Sequence, residues 1–191
     1  MKRKLKKIFE LMPVILLASG LLVAARPLYH LCKWKINEIT ARNVWEKWQS
    51  SHRPYRTESS GSPAVWLRIP ETGLNTLVLH DASDKNLMAY PCLYASCPGP
   101  EEAGIKVILG HRDMHFRKLQ NVQIGQLIEM ELVDKKIKKY RVREIEILTP
   151  EQAVERVNRK QKEEWLVLVT CFPFKYVGPA PKRFLVWARR A

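Results

Sequence analysis

A cysteine ends an apolar, β-branched run in Leu168-Val169-Thr170-Cys171-Phe172-Pro173, and a histidine follows a second such run, Ile105-Lys106-Val107-Ile108-Leu109, in Gly110-His111-Arg112-Asp113. Strand mouths are where side chains leave a core and meet solvent. Cys with His is the smallest set that supports thiol nucleophilic catalysis. Arg183 lies twelve positions beyond Cys171, across Phe-Pro-Phe-Lys-Tyr-Val-Gly-Pro-Ala-Pro. A loop that returns on the next strand brings this guanidinium beside the thiol, where it favours the thiolate and can stabilise an oxyanion. Attack needs a thiolate and proton donation needs an imidazolium, so the pair predicts a bell-shaped pH profile whose limbs belong to both groups. The competing reading of Cys171 is a buried structural cysteine.

Five histidines compete for the partner role: His30, His52, His80, His111 and His115. His30 and His52 fall in the N-terminal region and read as surface residues. His80 follows a strand. His115 is four positions from His111, and either reads alternatively as a loop histidine bonded to backbone. His111 is preferred because it terminates the most apolar strand.

The elements that must carry these residues are mostly strands. Ala64 to Ile69 reads as a strand halted by Pro70, and Leu74 to Leu79 as another. Ser83 to Met88 suits a short helix with Ser83 as its N-cap. Tyr90 to Gly104 reads as a loop, and Ile105 to Leu109 as a central strand. His115 to Leu119 reads as a helical turn. Gln126 to Val133 and Lys139 to Leu148 alternate apolar with polar residues and form a hairpin with one wet face. The basic run from Lys135 to Arg143 therefore reads as a solvated face. Pro150 to Val157 suits a short helix with proline in its first turn. Trp165 to Thr170 and Phe184 to Trp187 close the chain as strands. Seven or more short strands separated by turn signals predict a barrel or sandwich.

The net charge of +14 is concentrated at the N-terminus, where residues 1–56 hold 12 Lys/Arg against 3 Asp/Glu and the remainder holds 21 against 16. That skew argues against a nucleic-acid binder. Lys2, Arg3, Lys4, Lys6 and Lys7 precede fifteen uncharged residues, Leu11 to Ala25. Flanking apolar residues extend this run toward the roughly 20 needed to span a bilayer. The preferred reading is a signal anchor over residues 1–27. Cleavage after Val23-Ala24-Ala25 and a buried apolar helix are the alternatives. The dense positive charge stays inside, so the domain lies outside the cytoplasm. Residues 28–50 read as an amphipathic stalk, packed on the domain or lying at the membrane surface, and 51–63 as a linker. The stalk and linker thus span 28–63, and the catalytic domain 64–191. Cys92 and Cys97 are either a disulfide pair or two free thiols, since spacing alone does not establish the geometry. Cys32 reads as incidental.

Gly110-His111-Arg112-Asp113, Thr170-Cys171-Phe172-Pro173-Phe174 and Gly178-Pro179-Ala180-Pro181-Lys182-Arg183-Phe184 together resemble the sortase family, in the order His, Cys, Arg. The gaps, 60 and 12 positions, suit it. The resemblance covers about residues 64–190 and is strongest to class D-like sortases, including those of Gram-negative bacteria. It implies an eight-stranded β-barrel with short helices behind a transmembrane helix and stalk. It implies a cysteine transpeptidase that cuts a Leu-Pro-x-Thr-Gly-like sorting signal, holds the acyl part as a thioester and passes it to an amine. Cys171 is then the nucleophile, His111 the general acid and base, and Arg183 the group that binds substrate and steadies the tetrahedral intermediate. Thr170 is implied to help line the oxyanion site. The implied partners are a secreted protein bearing the sorting signal, an amine acceptor on a wall peptide or protein, and the membrane; the chemistry requires no cofactor. The chain departs from the family pattern in Leu77 to Tyr94, where glycines are missing, and two cysteines, Cys92 and Cys97, stand in or near the expected active-site wall. A hydrolase using the same residues and an inactive anchored scaffold are the rival functions. The Ser-x-Gly-Cys setting of a cell-wall L,D-transpeptidase is absent.

Overall fold

The computed structural model describes residues 12–13, 16–17, 19–21, 25, 36, 40–51, 60–159 and 163–191. The chain divides into two units, Met1–Ile39 and Thr40–Ala191. The expected anchor over 1–27 lies mostly outside the described residues, as does much of 28–63. Those residues between 12 and 25 that are described are helical and exposed. Among the described residues, no helix is long and apolar enough to cross a membrane.

In the second unit, helix α1 spans 40–50. It is followed by β1 (Pro63–Ile69), β2 (Leu74–His80), α2 (Asp84–Leu87), β3 (Cys92–Leu93), β4 (Ile105–Leu109), β5 (Leu127–Glu131), β6 (Ile137–Leu148), α3 (Pro150–Asn158), β7 (Trp165–Phe172) and β8 (Lys182–Arg190). The strands close into a barrel in the order β1-β2-β3-β4-β7-β8-β6-β5, with β5 returning to β1. Closure gives every strand a neighbour on both sides. The pairs β2/β3 and β4/β7 are parallel, and the others are antiparallel.

Successive strand residues face opposite sides, so the alternation of the sequence sorts side chains into two sets. Ile108, Leu166, Leu168, Phe184 and Val186 point into the main core with Val65, Leu67, Ile128 and Met130. Val107, Val167, Val169, Leu185 and Trp187 point outward and pack beneath Ala153 of α3. A capping box between Thr149 and Gln152, with Pro150 behind it, starts α3 where the chain leaves β6. Arg156 then ties α3 down, stacking over Trp187 at 4.2 Å and pairing with Glu144 and Glu146.

Helix α1 docks on the barrel, which resolves its expected placement for the described part of the stalk. Trp45 is fully buried against Trp66 and donates from Nε1 to Glu131 Oε1 at 3.2 Å. Gln49 donates to the same oxygen at 3.0 Å, and Arg68 donates to the other carboxylate oxygen at 3.0 Å.

Two features differ from expectation, and one open alternative is decided. Cys92 and Leu93 form a short strand inside the expected loop, bridging β2 and β4. Cys171 and Phe172 remain within β7, which runs two residues past the expected end. Cys92 and Cys97 are free thiols, so the disulfide is not made. Their side chains belong to separate clusters: Cys92 packs with Trp45, Trp66, Leu77 and Leu79 beneath α1, and Cys97 against the Val107, Val167 and Leu185 layer on the α3 side. Burial, reinforced by the charge of Asp81, pushes the Cys92 thiol up to about 12.

Candidate active site

The site lies where β4, β7 and β8 run side by side. Cys171 pairs directly with Arg183 across the antiparallel β7/β8 ladder. Opposed residues in such a ladder place their side chains on the same face, with Cα atoms roughly 4.5–5.5 Å apart. The loop-and-return that the sequence suggested thus brings these two residues together. The face is the outer one, because Thr170 and Phe184, their neighbours in the ladder, are buried toward the core.

β4 supplies the histidine. Its parallel register with β7 ends at Leu109 opposite Val169, and two bonds carry the alignment one residue further. Gly110 N donates to Val169 O at 3.1 Å, and Thr170 Oγ1 donates to Gly110 O at 2.7 Å. His111 therefore leaves the sheet at the level of Cys171. Its own carbonyl accepts from Phe116 N at 3.1 Å, which folds the following turn back beneath it. Gly110 permits this turn, since a Cβ there would lie 2.8 Å from the Phe116 ring.

Thr170 has a different place from the one expected. Its side chain is 3% exposed, faces inward and holds the Gly110 carbonyl. It braces the histidine's strand from inside, and its hydroxyl does not line the outer face. The two described rivals, His80 and His115, have other surroundings. Burial lowers His80 to about 4 within β2. His115 stacks on Tyr90 with centroids 6.0 Å apart. His30 and His52 lie outside the described residues.

Arg183 Nη1 donates to Ala180 O at 3.2 Å and to Lys182 O at 3.0 Å, so one nitrogen of the guanidinium is committed to its own loop. An apolar cleft of about 280 Å³ runs from Arg183 beneath α3, lined among others by Tyr94, Leu109, Ala153, Val157 and Val169. Val169 is two positions before Cys171 on the same face of β7, so the cleft floor continues toward the thiol. Sequence reasoning missed this cleft. Its signal was the apolar outward set on β4 and β7, which an isolated barrel would leave exposed and which therefore required a cover. Among the described residues, no group of three or more His, Cys, Asp or Glu is placed to hold a metal ion.

Residues 67–191 match the family model described as the sortase domain. The sortase D of Bacillus subtilis (strain 168) is 28% identical over 142 residues, covering 74% of this chain and 69% of that protein. Among solved structures, a Clostridium perfringens sortase D5 transpeptidase superposes with a TM-score of 0.67 at 19% identity, covering 84% of this chain and 99% of that one. Sortase C from Clostridium perfringens SM101 gives 0.63 at 16% identity, over 83% and 89%. Listeria monocytogenes sortase A gives 0.58 at 20% identity, over 68% and 87%. The match from the middle of β1 to the C-terminus takes in His111, Cys171 and Arg183 and most of the barrel that carries them, and this chain belongs to the sortase family.

Proposed function

We propose that the protein is a membrane-anchored cysteine transpeptidase that cleaves a Leu-Pro-x-Thr-Gly-like sorting signal and transfers the acyl part to an amine. The observation that carries this reading is the direct pairing of Cys171 with Arg183 across β7 and β8, with His111 following the end of the adjacent β4 and an apolar cleft reaching Arg183. The cleft is suited to the apolar side chains of an extended peptide, which would bring the scissile carbonyl to Cys171.

In the first step Cys171 Sγ attacks the threonine carbonyl carbon, and the C–N bond to glycine breaks. The glycine nitrogen leaves as an amine, carrying the proton that His111 donates. In the second step an incoming amine attacks the thioester carbon, His111 takes its proton, and the C–S bond breaks to restore the thiolate. Arg183 faces the oxyanion in both tetrahedral intermediates; its two loop bonds use Nη1 alone. The basic N-terminus and the uncharged run after it support anchoring with the catalytic domain outside the cytoplasm.

The test is to mix the full chain with a sorting-signal peptide and follow mass on the protein. A peptide-sized adduct on Cys171 that a labelled amine discharges is expected, and Cys171→Ala abolishes it. Release by water alone at every amine concentration would make the protein a hydrolase. A wild-type chain that never forms the adduct would make it a scaffold.

A further inference from the structure

The loop from Pro173 to Pro181 joins the two strands that carry Cys171 and Arg183, yet the usual restraints on a loop are scarce in it. Pro173, Pro179 and Pro181 have no N–H to give. Among the described residues, no backbone-to-backbone hydrogen bond outside the regular elements involves 173–181. Its first turn is fastened by Phe174, whose ring packs against Phe172 and Phe184 at 6.1 and 5.2 Å between centroids. Its far end is fastened by the bond from Arg183 to Ala180 O. The middle is held from the other strand. Arg112 Nη2 donates to Tyr176 O at 2.9 Å and to Gly178 O at 3.2 Å, and the guanidinium lies 5.6 Å from the Tyr176 ring centroid. Gly178 adopts φ +99°, a conformation that glycine takes without strain and that turns its carbonyl within reach of this donor. Val177, between the two bonded carbonyls, is 99% exposed, so packing contributes little there.

We propose that Arg112 is a positioning residue: it fastens the β7–β8 loop to the strand end bearing His111, and through that loop it sets where the Arg183 guanidinium stands relative to Cys171. The proposal rests on the assignment of Cys171, His111 and Arg183 as the reacting set. The reasoning is geometric. Arg112 is bonded in sequence to His111, and its side chain bridges to a loop that ends one residue before Lys182. A guanidinium whose Nη2 donates to two carbonyls while its plane lies over a ring is held by three contacts, which restrict the loop more than a single flexible contact does. Displacement of a catalytic group by about 1 Å can cost about a hundredfold in rate.

The experiment compares the wild-type full chain with Arg112→Ala and Arg112→Lys on three readouts. The first is kcat and KM for amine transfer from a sorting-signal peptide. The second is the rate at which iodoacetamide alkylates Cys171. The third is amide hydrogen exchange of residues 174–178. Expected for Arg112→Ala are a fall in kcat of about tenfold to a hundredfold with KM changed less than threefold, alkylation within about twofold of wild type, and faster exchange across the loop. Arg112→Lys keeps a donor near the carbonyls and recovers part of the kcat; it also serves if the alanine variant fails to fold. A kcat within twofold of wild type for the alanine variant would overturn the proposal, as would unchanged loop exchange. Should the wild-type chain itself transfer nothing, the transpeptidase reading fails and exchange alone decides: faster exchange upholds the tether, unchanged exchange removes it.

Discussion

Glu164→Gln tests what closes the barrel at the end away from Cys171. Lys106 sits on β4 with its inward-facing side chain fully buried, five strand residues before His111. Its Nζ donates to Glu164 Oε1 at 3.0 Å, and the same oxygen accepts from Lys138 Nζ at 3.0 Å and Tyr140 Oη at 2.6 Å. Burial alone would raise the Glu164 carboxyl, but these three donors and the Lys106 charge outweigh it and hold the group at about 2, below the ordinary 4.5. That gap is worth roughly 3 kcal/mol at about 1.4 kcal/mol per pH unit. The side chain keeps 19% of its surface exposed, and solvent screening reduces the figure to about 2–3 kcal/mol. Neutralising Glu164 also leaves the Lys106 ammonium buried without its counter-charge, a change that typically costs about 3–5 kcal/mol. We expect Glu164→Gln to lose about 3 kcal/mol at pH 7, a fall in Tm of roughly 6–12 °C for a chain of this size.

The pH dependence follows from the directions of the shifts. A carboxyl depressed on folding stabilises the fold above its unfolded value and ceases to do so as pH falls through its folded value. The difference between wild type and variant is therefore full from about pH 5 upward and collapses between about 4.5 and 2. At the alkaline end it narrows again. Burial lowers the Lys106 ammonium even with Glu164 present, and without that partner it loses its proton earlier still. The assay is urea unfolding of both full-length proteins, followed by tryptophan fluorescence from pH 2.5 to 9, with peptide turnover measured at 20 °C. Turnover per folded molecule should be unchanged, because about 17 Å of strand separates Lys106 from the site at roughly 3.3 Å per residue. A loss below about 1 kcal/mol at pH 7, against the 3–5 typical of a broken buried pair, or an equal loss at pH 2.5 and 7, would refute the reasoning.

Two further substitutions probe the site. Gly110→Ala places a Cβ 2.8 Å from the Phe116 ring, and relief of this overlap should cost about 1–3 kcal/mol and displace His111; thermal unfolding and kcat together check it, and a variant with wild-type values in both would show that the turn has slack. Ala153→Phe enlarges a residue that lines the apolar cleft; KM for the sorting-signal peptide should rise roughly tenfold, about the worth of one well-buried apolar contact, with alkylation of Cys171 unchanged. An unaltered KM would mean that the peptide does not use the cleft.

The residues proposed to do chemistry were easier to read than those that hold them. Cys171 and Arg183 were legible as a pair because Phe-Pro ends one run, the prolines and glycine mark the return, and an antiparallel return can bring the two ends together. His111 was legible because β4 is a continuous apolar run with a sharp end. Lys106 within that run looked like an interruption. Its burial makes sense only with Glu164, 58 positions away and brought beneath it by the parallel β4/β7 register. Glu131 likewise reads as the polar face of a hairpin until α1, 86 positions earlier in the chain, delivers the Trp45 indole to it. The strand β3 has two residues and no pattern of its own; Leu79 and Leu109 on either side create it. The Cys92–Cys97 spacing permitted a bridge, but period-two alternation and the turn between them send the thiols to different layers.

The same alternation explains why Cys171 and Arg183 face outward at all. On β7, Leu166, Leu168 and Thr170 point inward, which obliges Val167, Val169 and Cys171 to point outward; on β8, Phe184 and Val186 point inward and Arg183 and Leu185 outward. A slip of one residue in β7 would bury the thiol in the barrel and force Leu166 and Leu168 into the layer beneath α3. At roughly 1.5–3 kcal/mol for each large side chain removed from the core, that slip is strongly opposed. The register that sets Cys171 opposite Arg183 is thus enforced by residues buried in the core, and Thr170 adds to it by tying Gly110, just before His111, to β7. The placement of the thiol is a by-product of the core's demand for its two neighbours. Substitutions at Leu168 or Phe184 should therefore damage catalysis through register as well as stability.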